Sequence, residues 1–253
     1  MKTVFLTDRG RVRKINEDNA GVFLNEAGIV LALVADGMGG HLAGDVASEM
    51  AVKQLQALWE QENSISTPEQ AEEWLKENVL KVNKHLYRHA LENPECQGMG
   101  TTLVAAVCTE AFATIGHIGD SRCYLLNSSG FKQITEDHSL VNELVRSGQI
   151  TKEAAEQHPR KNVLLRALGT EDHVELEVSS LSLEESETLL LCSDGLSNKV
   201  SDEDIAAILK RDQPLEEKAE TLISHANENG GEDNITIVIA EQTAASEKGE
   251  QTC

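Results

Sequence analysis

The chain has 253 residues, and 22 Lys+Arg against 43 Asp+Glu give it a formal charge of −21 at pH 7. That balance repels nucleic acid unless a basic stripe stands out, and the densest basic stretch, residues 9–14, holds only Arg9, Arg11, Arg13 and Lys14. An apolar content of 40% in regular patterns argues against intrinsic disorder and for a chain able to build a core.

Strand-like segments open the chain at residues 3–7, 20–25 and 29–35. The last two are joined by Glu26-Ala27-Gly28. Residues 41–60 place Val46, Met50, Leu55 and Leu58 near a helical period. A second helix is expected from Thr67 to about Leu91, because Thr67 can cap, Pro68 suits the first helical position and Gln70 can close a capping box. Residues 101–108, 112–118 and 122–126, separated by tight connections, read as an antiparallel meander. Short helices are expected at 139–147 and 151–157, strands at 174–178 and 187–192, helices at 201–210 and 215–227, and a last strand at 235–240. Residues 241–253 lack an apolar pattern and read as a loose tail. Strands mixed with blocks of helices, with few strict βαβ alternations, predict an α+β fold within one domain, 1–240.

The longest apolar run, residues 29–35, falls far short of the ~20 residues of a membrane span. Only Val4, Phe5 and Leu6 are consecutively apolar near the N-terminus, too few for a secretory signal. Cysteines at 96, 108, 123, 192 and 253 are odd in number and lack CxxC spacing, so a reducing cytoplasm is the expected compartment.

Chemistry gathers at strand ends. Asp36-Gly37 and Asp194-Gly195 each close an apolar strand, Asp120 follows the strand at 112–118, and Asp233-Asn234 precedes the last strand. Each Asp-Gly alone is ordinary turn chemistry. If the four carboxylates converge instead, their repulsion calls for divalent cations, and all-oxygen donors favour Mg²⁺ or Mn²⁺ over Zn²⁺. His85 and His89 have zinc-like i, i+4 spacing, but with no third ligand evident they read as a helix surface. No GxxxxGK[ST] string occurs, which excludes a P-loop NTPase, and no cysteine has Arg six positions later, which excludes the usual Cys-nucleophile phosphatase signature.

An ordered set of segments resembles the motifs of the protein phosphatase 2C family, metal-dependent Ser/Thr protein phosphatases, in its bacterial form. They are Arg11-Val-Arg13-Lys-Ile-Asn16-Glu17-Asp18-Asn19, Val34-Ala-Asp36-Gly37-Met38-Gly39-Gly40-His41, Gly98-Met99-Gly100-Thr101-Thr102 and Ile118-Gly119-Asp120-Ser121-Arg122. Asp137-His138-Ser139, Arg166-Ala-Leu-Gly169, Cys192-Ser193-Asp194-Gly195-Leu196 and Asp233-Asn234-Ile235-Thr236 complete the set. The resemblance spans about Asp8 to Ala240, nearly the whole chain.

The resemblance implies a central β-sandwich of two antiparallel sheets flanked by pairs of helices. It implies two core ions, Mn²⁺ or Mg²⁺, with a third in bacterial members. Asp36 would bridge the core pair, the Gly37 carbonyl and Glu17 or Asp18 would serve the second ion, and Asp194 and Asp233 the first. Asp120 with Asp194 would hold the third. Arg13 matches the phosphate-binding arginine, as a guanidinium fork suits phosphoryl oxygens. His41 and Asn234 are auxiliary candidates, Asn234 as an orienting residue. Residues 146–169 resemble the family's mobile flap. The implied reaction is hydrolysis of phosphoserine and phosphothreonine by direct attack of a metal-bridging water, with phosphoproteins and a eukaryotic-like Ser/Thr kinase as partners. A regulatory relative that docks or dephosphorylates a single phosphoprotein is the alternative. Nothing signals an obligate interface, so a monomer is expected.

Overall fold

The computed structural model describes residues 1–39 and 43–243. Its strands are β1 (Lys2–Asp8), β2 (Asp18–Leu24), β3 (Val30–Met38), β4 (Gly100–Thr101), β5 (Leu103–Cys108), β6 (Phe112–Ile118), β7 (Arg122–Asn127), β8 (Gly130–Gln133), β9 (Glu177–Ser182), β10 (Thr188–Cys192) and β11 (Ile235–Glu241). The helices are α1 (Gly44–Trp59), α2 (Pro68–Glu92), α3 (Leu140–Arg146), α4 (Lys152–Glu156), α5 (Asp194–Ser197), α6 (Asp202–Leu209) and α7 (Leu215–Glu228).

One antiparallel sheet runs β1-β11-β10-β7-β8 and the other β2-β3-β5-β6-β9, with β4 extending the pairing of β3. The apolar runs explain the layering, because strand residues alternate faces and here both faces are covered. On β3, Val30, Ala32 and Val34 enter the slab between the sheets, where Val104, Ala106, Leu189, Leu191 and Val238 meet them. The alternate residues Leu31, Leu33 and Ala35 face α1 and α2. On the other sheet Leu190, Ile235, Ile237 and Ile239 pack beneath α6 and α7. Each such Leu, Ile or Val contributes about 1.5–3 kcal/mol by leaving water. The result is helices, sheet, sheet, helices.

Helix α2 starts as its sequence predicts. The Gln70 N–H donates to Thr67 Oγ1 while the Thr67 N–H donates back to Gln70 Oε1, and Pro68 opens the helix. Trp59 and Trp74 meet edge to face at 4.9 Å where α1 and α2 pack, and the Trp59 indole N–H donates to the Phe23 carbonyl.

Three local expectations change. The strand expected at 174–178 begins at Glu177 and runs to Ser182. Val174 and Leu176 are buried against the α1/α2 side as connecting chain, while register with β6 is set by residues 177–182. The edge strand β8 is short and polar, which hid it from pattern reading. Asp194-Gly195 opens the one-turn helix α5 rather than a plain turn. His41 and residues 244–253 lie outside the described residues, while Glu241 and Gln242, expected in the loose tail, belong to the fold: Glu241 ends β11 and the buried Gln242 bonds Glu187, Ser186 and Glu110.

Candidate active site

The two sheets end together at one edge of the sandwich. Asp18 and Asp36 are directly paired across β2 and β3, Asp120 follows β6, Asp194 follows β10, and Asp233 precedes β11. The loop between β1 and β2 brings in Arg13 and Glu17. A cavity of about 310 Å³ is lined by Arg13, Glu17, Asp36, Gly37, Asp120, Asp194 and Asp233, together with Met38, Gly39, Thr102, Asn162 and Leu164.

Backbone fit explains why glycines follow two of these aspartates. A Cβ on Gly37 would lie 2.1 Å from the Gly44 carbonyl oxygen and 2.4 Å from that of Glu17. A Cβ on Gly195 would lie 1.9 Å from the Asn234 carbonyl oxygen. Both positions require the backbone of one sheet end to touch its neighbour, which only glycine allows.

Hydroxyls and amides hold the carboxylates. The Asp36 N–H donates to Thr102 Oγ1 at 2.9 Å, and Thr102 Oγ1 is 2.7 Å from Ser121 Oγ, next to Asp120. Ser193 Oγ donates to Asp18 Oδ2 at 2.7 Å, joining the two sheets beneath the cavity. Asn198 donates to Asp194 Oδ2. Asn234 accepts from the Glu17 N–H and donates to the carbonyls of Arg9 and Ile15, so its side chain is fully committed to shaping the loop. Arg13 donates to Asp233 Oδ2 at 2.8 Å and lies 3.7 Å from Glu17.

The structure therefore brings Arg13, Glu17, Asp36, Gly37, Asp120, Asp194 and Asp233 onto one wall. Asp18 lies behind that wall, buried and hydrogen-bonded to Ser193, and Asn234 is off it. Sequence reading did not single out Thr102, Ser121 or Ser193. They stand in the resembling segments, Thr102 at the end of Gly98–Thr102 and Ser121 and Ser193 beside Asp120 and Asp194, as small hydroxyls to which no role was given.

Burial and mutual repulsion perturb several of these acids. Burial pushes Asp18 and Asp120 up to about 7, and Asp194 up to about 6 with Asp233 adding repulsion. Burial, then Asp18 and Asp194, drives Asp36 well above the usual carboxylate range. Glu17 is raised by burial despite Arg13. Among the described residues, the buried atoms Asp18 Oδ1 and Asp194 Oδ1 have no hydrogen-bond partner. So many carboxylates against one arginine, with orphaned oxygens among them, form a donor set that fits hard divalent cations.

Comparison with known proteins agrees with this chemistry. Residues 8–238 match the family model for protein phosphatase 2C. The chain is 50% identical over 242 residues to the serine/threonine phosphatase stp of Listeria monocytogenes, covering 96% of each. It is 42% identical over 239 residues to the protein phosphatase PhpP of Streptococcus pneumoniae, covering 94% of this chain and 96% of that one. Among solved structures, serine/threonine phosphatase Stp1 from Staphylococcus aureus superposes with a TM-score of 0.91 at 41% identity, over 95% of this chain and 94% of that one. The catalytic domain of the serine/threonine protein phosphatase PstP in complex with two manganese ions superposes at 0.83 and 36% identity, over 95% and 97%. The chain belongs to the protein phosphatase 2C family and is a phosphatase of its serine/threonine type.

Proposed function

We propose that this protein hydrolyses phosphoserine and phosphothreonine in proteins at the carboxylate-lined cavity, with two Mn²⁺ or Mg²⁺ ions as cofactors. The observation that carries the reading is the convergence of Asp36, Asp194 and Asp233 on one cavity beside Arg13. Asp36 would serve both ions, the Gly37 carbonyl and Glu17 the second, and Asp194 and Asp233 the first. A third ion would take Asp120 with Asp194. Asp18, behind the wall, would hold the β2 end in place through Ser193 rather than face substrate. When bound, the ions supply an activated water for in-line attack on phosphorus and neutralise the acidic wall.

Arg13 binds the phosphoryl oxygens. Its guanidinium is half-exposed and charged, its pKa raised by the hydrogen bond to Asp233, and among the described residues its Nη1 side has only the longer Glu17 contact. No covalent step is invoked. Among the described residues the cavity wall holds no cysteine or histidine, and Thr102 Oγ1 is tied to Ser121 and the Asp36 N–H. Asn162 and Leu164, on the return arm of the 146–169 flap, close one side of the cavity. The same Asn162, with Asp120 and Asp194, also lines an adjoining groove of about 670 Å³ between the flap and α5–α6, bordered by Lys152, Lys161 and Lys199. That groove accommodates the peptide around the phosphorylated residue.

A eukaryotic-like Ser/Thr kinase would supply such substrates, and the enzyme would act as a cytoplasmic monomer. Among the described residues no helix is long and apolar enough to cross a membrane. The test is phosphate release from a phosphothreonine peptide. Release should stop on chelation with EDTA and return with Mn²⁺. Absence of turnover with every divalent ion, from folded protein, would favour the regulatory docking relative instead.

A further inference from the structure

Two buried histidines that no step above uses stack on each other at the base of the flap. His117 on β6 and His138 at the flap's outgoing root have ring centroids 4.6 Å apart and planes 23° apart. Glu177, paired in register with His117, places its carboxylate 3.2 Å from His138 Nε2 and 3.9 Å from His117 Nε2. The donor atoms of these three residues all lie within 4.8 Å of one another, a spacing that suits a metal ion by count.

Proton placement excludes that reading. The Gly119 N–H donates to His138 Nδ1 at 3.1 Å, so that nitrogen's lone pair is used and the ring proton sits on Nε2. His117 Nε2 lies 2.8 Å from the Glu136 carbonyl oxygen, which can only accept, so it too carries a proton. Neither Nε2 has a lone pair for a metal. Both are donors, and the otherwise unpartnered His138 Nε2 is aimed at Glu177. Burial and the adjacent His117 hold His138 below its usual range.

What the cluster joins is more informative. The His138 N–H donates to the Gly119 carbonyl at 2.8 Å while Gly119 donates back to its ring, and Asp120 is the next residue. The Leu165 N–H, on the flap's return root, donates to the His138 carbonyl at 2.8 Å. Arg166, next along that root, lies 3.4 Å from the Glu177 carboxylate that faces His138. His138 thus hydrogen-bonds the strand end carrying Asp120 and the flap's return root, and its Nε2 stands 3.2 Å from Glu177 on β9.

We propose that His138, with His117 and Glu177, is a clasp that fixes the flap to the Asp120 strand end, His138 being a positioning residue for the metal-edge carboxylate and for the peptide groove. Its bearing on catalysis rests on the phosphatase reading, whereas the clasp itself can be read without substrate. Two substitutions separate its arms. His138→Asn keeps an acceptor where Nδ1 stands for the Gly119 N–H and loses the Glu177 arm. His138→Gln keeps an amide reaching toward Glu177 and loses the Gly119 acceptor. Glu177→Gln, at a half-exposed edge, retains the fold.

The measurements are tryptic cleavage after Lys152, Arg160 and Lys161 in the full-length protein, and Mn²⁺ binding by calorimetry. Glu177→Gln and His138→Asn should raise flap cleavage about tenfold, the effect of losing the 3.2 Å contact between His138 Nε2 and the Glu177 carboxylate, with Mn²⁺ binding unchanged. His138→Gln should weaken the weakest Mn²⁺ site while cleavage rises less. Flap cleavage within twofold of wild type in both Glu177→Gln and His138→Asn would overturn the clasp. So would zinc binding that Glu177→Gln abolishes. A protein inactive on every phosphopeptide yet showing the cleavage pattern would retain the clasp and lose the phosphatase reading. An active one without the pattern would lose only the clasp.

Discussion

Without cations, the acidic cavity should make the protein less stable as pH rises from 6 to 8, the reverse of what paired surface carboxylates do. Asp18 and Asp120 have folded values near 7 against an ordinary 3.8, with burial the main cause. At pH 6 the unfolded chain has already released both protons while the native chain retains them, so folding binds protons. The stability this provides is fully present below 3.8 and is lost as pH climbs through about 7. Between pH 6 and 8 each group crosses its folded value, and each crossing removes about 1.4 kcal/mol. Two groups give a fall of about 3 kcal/mol, a large part of a typical 5–15 kcal/mol stability. The assay is urea unfolding in EDTA at half-unit steps of pH, with His138 chiefly affecting values below its ordinary 6.5. Saturating Mn²⁺ should abolish or invert the slope, because the ions bind the ionised carboxylates that metal-free folding disfavours. Asp18→Asn should remove about half of the metal-free slope. A metal-free stability that is flat or rises from pH 6 to 8 would refute the assignment of these carboxylates to one buried cluster.

Other consequences are equally direct. Arg13→Lys exchanges a planar fork for a point charge and should raise KM for a phosphothreonine peptide about tenfold, with Mn²⁺ binding by calorimetry little changed. Asn234→Ala removes an acceptor for the Glu17 N–H and two donors to the carbonyls of Arg9 and Ile15. It should cost about 2–3 kcal/mol in urea unfolding and loosen the Arg13 loop. Lys161→Glu, on the groove wall, should raise KM for peptides with acidic flanking residues at low salt, while leaving p-nitrophenyl phosphate hydrolysis unaltered.

Much of the architecture was legible because the sandwich leaves plain marks. The run at 29–35 is apolar throughout since β3 is covered on both faces, by helices α1 and α2 on one side and by the second sheet on the other. Thr67-Pro68-Glu69-Gln70 spelled a helix start through local chemistry alone. The site aspartates were visible as acidic residues at strand ends, yet spacing could not show that β2 and β3 set Asp18 directly opposite Asp36, or that Asp18 would turn behind the wall. Only the ordered motifs bridged that gap. Edge elements were harder, because β8 and β9 are held by pairing with β7 and β6 rather than by an apolar pattern of their own. The polar frame of Thr102, Ser121 and Ser193 was invisible for a related reason. A buried hydroxyl is informative only once its partner, distant in sequence, is known.

The central claim is that Asp36 is the cavity's shared cation ligand, and Asp36→Asn tests it with almost no change in shape. Mn²⁺ binding by calorimetry and phosphate release from a phosphothreonine peptide should be measured on wild type and variant side by side. The account predicts that the variant stays folded, loses tight Mn²⁺ binding and loses turnover by at least about a thousandfold. A folded Asp36→Asn protein that binds Mn²⁺ and turns over peptide like the wild type would contradict it.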